Sequence, residues 1–360
     1  NVEKDDERTR LVNKASPLLR KEDRGEYTRE ALQHDLDFFC HEVWRVYLEQ
    51  FKPGNEVGLD GWVPEFLLEP YVIRGGGTIM FAPPKTAKSY IGKLIAQSVN
   101  TGCSTFWPAQ YENTLFINLE RSHTSVLGRL ARVNKALGLP ADTALHILTG
   151  RGRSLKGLAP VIKRYVDEHN IGFGVLDSIS RTGMGGLVHP EDVNPVIDTL
   201  HNLFPTWLAL AHTPMSSGEY AYGGQMWAAG ADIMLMLKSQ MNTADPKKLG
   251  ISLTVTSAND MLIPPRQLWE LDFSGPFIMK SVKAKDYPEL AQGGKMSLTQ
   301  EILDYLLEAG KATATQTAKE LDKNRGQVNS IFKHDSRFER IGATGPQGQV
   351  YYGVKQTTAL

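Results

Sequence analysis

Residues Gly77 to Lys93 read GTIMFAPPKTAKSYIGK, and the fold turns on this stretch. TIMF (78–81) is an apolar, β-rich run, and SYIGKLIAQSVN (89–100) has helical apolar spacing, so a strand feeds a helix across the turn between them. That turn, Ala82-Pro83-Pro84-Lys85-Thr86-Ala87-Lys88-Ser89, stands in register with the phosphate-binding pattern G-x-x-x-x-G-K-[ST]. The lysine and the hydroxyl are in place, while alanine occupies both glycine positions. Glycine serves such a turn because it accepts positive φ and lets the backbone approach a phosphate. Alanine keeps the N–H donor but penalises a left-handed conformation by about 1 kcal/mol. The segment therefore reads as a weakened phosphate cradle. Backbone amides and a helix N-terminus surround the β-phosphate, Lys88 supplies a point charge, and Ser89 faces a magnesium ion.

Working outward, short apolar runs alternate with helical patterns. TLFINLE (114–120), LHILTG (145–150), FGVLDS (173–178), WLALAH (207–212) and ADIMLMLK (231–238) read as strands. SVLGRLARVNKALG (125–138), LAPVIKRYVDEHN (158–170) and PVIDTLHNLF (195–204) read as the helices between them. This alternation predicts an α/β fold with a mostly parallel sheet covered on both faces. LGISLTVTSA (249–258) and QLWELDF (267–273) then read as an antiparallel hairpin. Two of the strands end in carboxylates. Asp177 stands where a metal ion beside the cradle is held, and Glu120 where a carboxylate polarises an attacking water. Each alone reads equally well as an ordinary strand-end charge. Three equipped strand ends in this order point to a ligand site at the C-terminal edge of the sheet.

The 360 residues are 41% hydrophobic and 22% charged with a formal net charge of zero, which suits a globular chain with a proper core. A neutral total gives no global attraction to nucleic acid or anionic membrane, so such contacts must come from local patches. Cys40 and Cys103 have neither C-x-x-C nor metal spacing and read as reduced thiols. No 18-residue apolar run and no signal-peptide pattern occurs, so the expectation is a cytoplasmic protein without a membrane partner. The first residue, Asn1, is not a methionine, as expected of a trimmed chain.

The flanks suggest a division into residues 1–55, a charged arm and an amphipathic helix; 56–285, the α/β core; 286–296, a linker; and 297–360, a small C-terminal domain. Residues 1 to about 30 carry dense charge of both signs and read either as a solvated tail or as an arm that ties subunits together. LQHDLDFFCHEVWRVYLEQF (32–51) has helical apolar spacing and ends at Pro53-Gly54. DYPELAQGGK (286–295) shows no apolar periodicity. Three helical segments and a strand–turn–strand then make a winged-helix pattern. From Lys295 onward there are nine Lys and Arg against seven Asp and Glu. Lys323, Arg325 and Lys333 lie on or beside the second-last helical segment's successor, with Arg337 and Arg340 on the hairpin. This face suits DNA phosphates, and such modules also serve protein contacts alone.

The order cradle, helix, glutamate strand, aspartate strand and polar strand end resembles the RecA-like ATPases, and within them the RepA-like and DnaB-like hexameric helicases. INLERSHTSVLGRL looks like the family's glutamate segment with its arginine-bearing helix. LALAHTP looks like the sensor strand, and YGGQMWAAGADIMLMLK like the segment before the next strand. The resemblance covers roughly residues 60 to 280. It implies ATP and Mg²⁺ as cofactors and catalytic roles for Glu120, Lys88, Asp177 and His212. It implies nucleotide contacts from Ala82, Pro83, Pro84, Lys85, Thr86, Ala87, Lys88, Ser89 and Tyr90, with the metal held by Ser89 and Asp177. It further implies a homo-oligomer, a hexamer with nucleotides at subunit interfaces, acting on single-stranded DNA. The DNA would meet RTGMGGLVHPED (181–192), with Arg181 and His189, and TPMSSGEYAYGGQM (213–226), with Tyr220 and Tyr222; both loops read equally as gating or subunit-contact loops. Three departures stand out: the cradle alanines, His212 in place of a glutamine, and TVTSANDMLIPPR (254–266) without the family's basic finger pair, Arg266 being the nearest substitute. The expected function is an ATP-dependent DNA motor, a replicative helicase of a plasmid, phage or other mobile element. The alternatives are a RecA/RadA-like recombinase or loader, or a DNA-binding initiator or regulator with a weak ATPase switch.

Overall fold

Along the central strands, successive apolar side chains divide between two faces, and both are buried. Met80, Phe116, Val175, Leu208 and Leu210 belong to one apolar cluster. Their neighbours Ile79, Phe81, Leu115, Ile117, Leu176 and Ala209 belong to the other. A period of two with no polar face is the signature of a sheet covered by helices on both sides.

The computed structural model describes residues 5–18, 27–49, 51, 53–183, 190–213, 225–292, 298–321, 323–335, 337–341 and 350–355. They fall into two compact units, Asn1–Trp62 and Val63–Leu360. The first contains α1 (Asp5–Ala15) and α2 (Arg29–Glu49). The charged segment, read as a solvated tail or a subunit-tying arm, is helical over α1. Its acids Asp5, Asp6 and Glu7 sit in the first turn and Lys14 in the last, as the helix dipole favours. Arg8 Nε donates to Asp37 of α2 at 2.7 Å, and Val12 is buried. None of α2's residues is buried, and its Phe38, Phe39, Val43 and Tyr47 are exposed.

The second unit opens with a small antiparallel hairpin, β1 (Phe66–Leu68) and β2 (Val72–Ile73). There follow β3 (Gly77–Ala82), α3 (Lys88–Thr101), β4 (Thr114–Asn118), α4 (His123–Ala136), β5 (His146–Thr149), α5 (Leu155–His169), β6 (Phe173–Asp177), α6 (Pro190–Leu203) and β7 (Thr206–His212). α7 (Gln225–Gly230) leads to β8 (Ile233–Met241), β9 (Lys248–Ala258), β10 (Gln267–Asp272) and β11 (Ile278–Ser281). The strands form one nine-stranded sheet in the order β11-β10-β9-β8-β3-β7-β6-β4-β5. From β8 to β5 every pairing is parallel, and β9 to β11 extend the sheet antiparallel. This is the mostly parallel α/β sheet that the sequence predicts, a RecA-like P-loop fold.

Its order places the site. β7 lies between β3 and β6, and β4 flanks β6 on the far side. The C-terminal ends of β3, β7, β6 and β4 therefore stand side by side, carrying the turn 82–89, His212, Asp177 and, two residues past β4, Glu120. α3 lies directly against β7 because residue 92 is glycine: a Cβ there would meet Leu210 Cδ1 at 2.8 Å.

After β11 come α8 (Pro288–Gln292), α9 (Leu298–Ala309), β12 (Ala312–Thr313), α10 (Ala314–Glu320), α11 (Arg325–His334), β13 (Phe338–Ile341) and β14 (Tyr351–Val354). α8 falls within the stretch read as linker. The last three strands form their own antiparallel sheet, β12-β14-β13. Ile302, Leu306, Val328, Phe332 and Phe338 form a separate small core, with Phe332 stacked on Tyr352 at 4.4 Å. Thr313 and Gln316 make a reciprocal capping box at α10, and Asn324 caps α11.

Candidate functional site

The turn after β3 is built from its backbone upward. Thr213 N donates to Ala82 O at 3.2 Å, fixing the strand end, and Thr86 Oγ1 donates to Pro83 O at 2.8 Å, closing the turn on itself. Lys85 (φ 67°) and Ala87 (φ 63°) both lie in the left-handed region. Ala87, the N-cap of α3, thus adopts a positive-φ conformation at a glycine position of the motif, at a cost of about 1 kcal/mol. The N–H groups of residues 85 to 89 have no intramolecular partner among the described residues. Free amides at the N-terminus of a 14-residue helix form a cradle for a polyanion.

Lys88, at the start of α3, is buried, and its Nζ donates to Ala211 O at 2.5 Å. Burial pushes this ammonium down to about 8, against the opposing pull of Asp177 and Glu120. Asp177, closing β6, is 1% exposed. Burial pushes its carboxyl up, opposed by Lys93, the Ser89 hydroxyl and Lys88, while Glu120 adds to the rise. Neither of its oxygens makes a hydrogen bond of normal geometry among the described residues. Two orphaned buried acceptors beside a hydroxyl and facing a phosphate cradle are the donor set that a hard divalent cation takes. The described residues hold no cluster of three or more His, Cys, Asp or Glu. A divalent cation there would draw on the Ser89 hydroxyl and the Asp177 carboxylate.

Glu120 projects from the turn after β4. Asn118 fixes that turn by donating to Arg121 O at 2.7 Å and accepting from Arg121 N at 3.0 Å. Glu120 Oε1 accepts from the Ser178 hydroxyl, lies 3.4 Å from Ser180 Oγ and 3.5 Å from His212 Nε2. The His212 imidazole first, and then Ser178 and Lys88, hold this carboxyl down at about 2 against its partial burial. The Asp177–Ser178 peptide is cis.

The turn, Lys88, Ser89, Tyr90, Glu120 and His212 line one cleft of about 320 Å³. It also holds Arg121, Arg129, Leu249 and Phe273, none of them a candidate from sequence. Arg129 lies over the Tyr90 ring at 4.9 Å, and Tyr90 packs edge-on to Phe273 at 5.3 Å. Arg121 Nε is buried and has no hydrogen-bond partner among the described residues. Behind the cleft Lys93, fully buried, sits over the Phe116 ring at 4.0 Å; burial pushes it down to about 8, with Asp177 opposing. Among the described residues, Lys88, Lys93, Arg121 and Arg129 thus face two carboxylates, Asp177 and Glu120. The surplus of positive charge and the aromatic wall suit a nucleoside polyphosphate.

The residues expected to meet DNA are spread differently. Arg181 ends the 3₁₀ turn Ile179–Arg181 after β6. Lys323 precedes α11, Arg325 opens it and Lys333 sits in its last turn, all exposed. Arg337 is paired with Asp335 at 2.7 Å. His189, Tyr220 and Tyr222 lie outside the described residues. Arg266, the substitute finger, donates to Leu290 O at 2.8 Å.

Among the described residues no helix is long and apolar enough to cross a membrane. No curated protein matches the chain. Residues 63–212, from just before β1 to the end of β7, match the family model described as AAA domain. That match, and the cradle at the edge of the sheet, make this region a P-loop NTPase domain of the ATPase type.

Proposed function

We propose that the chain is an ATP-dependent motor on single-stranded DNA, a RepA-like or DnaB-like helicase working as a homo-oligomer, hexameric in the family it resembles. The observation that carries this reading is the setting of Glu120. Glu120 is held by Ser178 and His212 from the two neighbouring strand ends, 3.5 Å from the imidazole, and shares one cleft with Lys88. An acid held near 2 is a poor proton acceptor, so Glu120 works by orienting water as a hydrogen-bond acceptor. The free amides of the turn and Lys88 bind the polyphosphate, whose charge favours the lysine's ammonium form. Arg129 and Tyr90 offer a flat wall for the base. Ser89 and Asp177 would hold Mg²⁺, which when bound neutralises charge on the phosphate oxygens. The C-terminal helices and three-stranded sheet support the reading as a winged helix that meets duplex or protein.

A second reading, a DNA-binding initiator or regulator with a weak ATPase switch, draws on two observations. Ala87 holds its left-handed conformation at a cost, and Arg266 is occupied by the Leu290 carbonyl. ATP turnover with and without single-stranded DNA, in the wild type and Glu120→Gln, separates the two. The motor reading expects strong stimulation that the variant loses, followed by strand separation on a forked duplex. An unstimulated rate that the substitution leaves alone overturns it in favour of the regulator.

A further inference from the structure

Beside the nucleotide cleft lies a second one, of about 600 Å³, and the two share Glu120 as a wall. Arg151, Arg153 and Arg181 line it together with the hydroxyls of Ser154 and Ser180. The three arginines are exposed, and none makes an ion pair or a side-chain hydrogen bond among the described residues. Glu120, already engaged by His212 and Ser178, is the sole carboxylate of the lining.

The cleft is braced by backbone. Gly150 N donates to Asn118 O at 2.9 Å, Leu119 N to Asp177 O at 2.8 Å and Leu155 N to Thr182 O at 2.8 Å. These bonds stitch the chain segments that leave β4, β5 and β6. Gly183 (φ +67°) approaches Ser154 so closely that a Cβ would meet Ser154 Cβ at 3.0 Å. The guanidinium forks are therefore carried on loops held against one another before any ligand arrives.

We propose that this cleft binds the phosphodiester backbone of single-stranded nucleic acid, and that the Ser180–Glu120 contact carries its occupancy to the nucleotide cleft. The proposal deepens the motor reading and rests on it for the ATPase it regulates. Guanidinium groups match phosphate oxygens in bidentate geometry. An acidic protein partner fits less well, because the only large apolar lining residue is Leu119 and a protein interface needs an apolar centre. No aromatic ring lines the cleft, so bases are not read and binding is independent of sequence. The chain's zero net charge leaves attraction to a local patch of this kind.

The test is fluorescence anisotropy of a labelled oligo-dT with the full chain, without nucleotide, over a salt series. Wild type is compared with Arg151→Gln, Arg153→Gln, Arg181→Gln and Ser180→Ala. For single strands the slope of log K against log salt is about −0.7 per phosphate neutralised, so each arginine replaced makes it shallower by about 0.7. Ser180→Ala keeps the wild-type slope and loses DNA-stimulated ATP turnover. A wild-type slope in all three arginine variants overturns the site. Displacement of the oligonucleotide by a polyglutamate peptide or by tripolyphosphate at lower concentration than by unlabelled oligo-dT overturns it too, in favour of a protein partner or a free phosphate. Shallower slopes with no stimulation of turnover in the wild type support the cleft and overturn the motor reading instead.

Discussion

His212 Nε2 lies 3.5 Å from Glu120 Oε1, linking the end of β7 to the turn after β4 across the intervening strand β6. The contact is the largest cause of Glu120's shift from an ordinary 4.5 to about 2. A carboxyl lowered in the folded state contributes stability above its unfolded value and loses it as pH falls through the folded one. Glu120→Gln is therefore expected to destabilise the protein at pH 7 by on the order of 1–3 kcal/mol. The gap between wild type and variant should close as pH falls from 4.5 towards 2. Denaturant unfolding of both proteins along a pH series checks this; a gap that widens in acid contradicts it.

On the proposed reading, His212 acts through the carboxylate it contacts, Glu120. His212→Ala is expected to lower kcat by about ten-fold or more while leaving ATP affinity nearly intact, the pattern of a lost transition-state contact. A nucleotide-binding titration beside steady-state turnover separates the two. Weakened binding at unchanged kcat would place His212 on the ground-state phosphates instead.

Ala87 is a left-handed residue with a methyl group, at φ 63°. Ala87→Gly removes the penalty of about 1 kcal/mol but adds freedom to the unfolded chain, so stability stays level or rises slightly. Ala87→Val puts a β-branched side chain into the same conformation. It should cost more than about 1 kcal/mol and weaken ATP binding with it. Thermal melts and ATP titrations of the pair decide, and equal melts for glycine and valine would mean the turn is not held as described.

Outside the lining of either cleft, Tyr287 donates to Glu270 Oε2 at 2.6 Å inside the core, while Lys280 reaches the other oxygen at 3.0 Å. Burial and this carboxylate push the phenol up to about 12. Tyr287→Phe leaves a buried charge short of one donor and is expected to cost about 1–3 kcal/mol in denaturant unfolding. ATP turnover of the variant at a temperature where it stays folded should match the wild type.

Several of these groups could be read before any coordinates. β3, α3 and the carboxylates Glu120 and Asp177 follow from apolar periodicity and from strands that end in a charge. The hairpin of β1 and β2 could not be read, because strands of three and two residues hold no period. α1 was obscured by charge of both signs, although the placement of its acids and Lys14 carries the signal. Phe273 and Leu249 reach the nucleotide cleft only through the antiparallel extension of the sheet, and Arg151 and Arg153 reach Glu120 only because β5 pairs with β4. Proximity made by sheet order leaves no local trace in a sequence.

The surplus of cations around the cleft has a bearing on the lifetime of the chain. Lys88, Lys93, Arg121 and Arg129 repel one another until a polyanion arrives, so nucleotide behaves as a missing piece of the interior, strengthening the native state in proportion to its supply. Starved of it, the molecule opens more often and meets proteases sooner. Added nucleotide is therefore expected to slow its proteolysis.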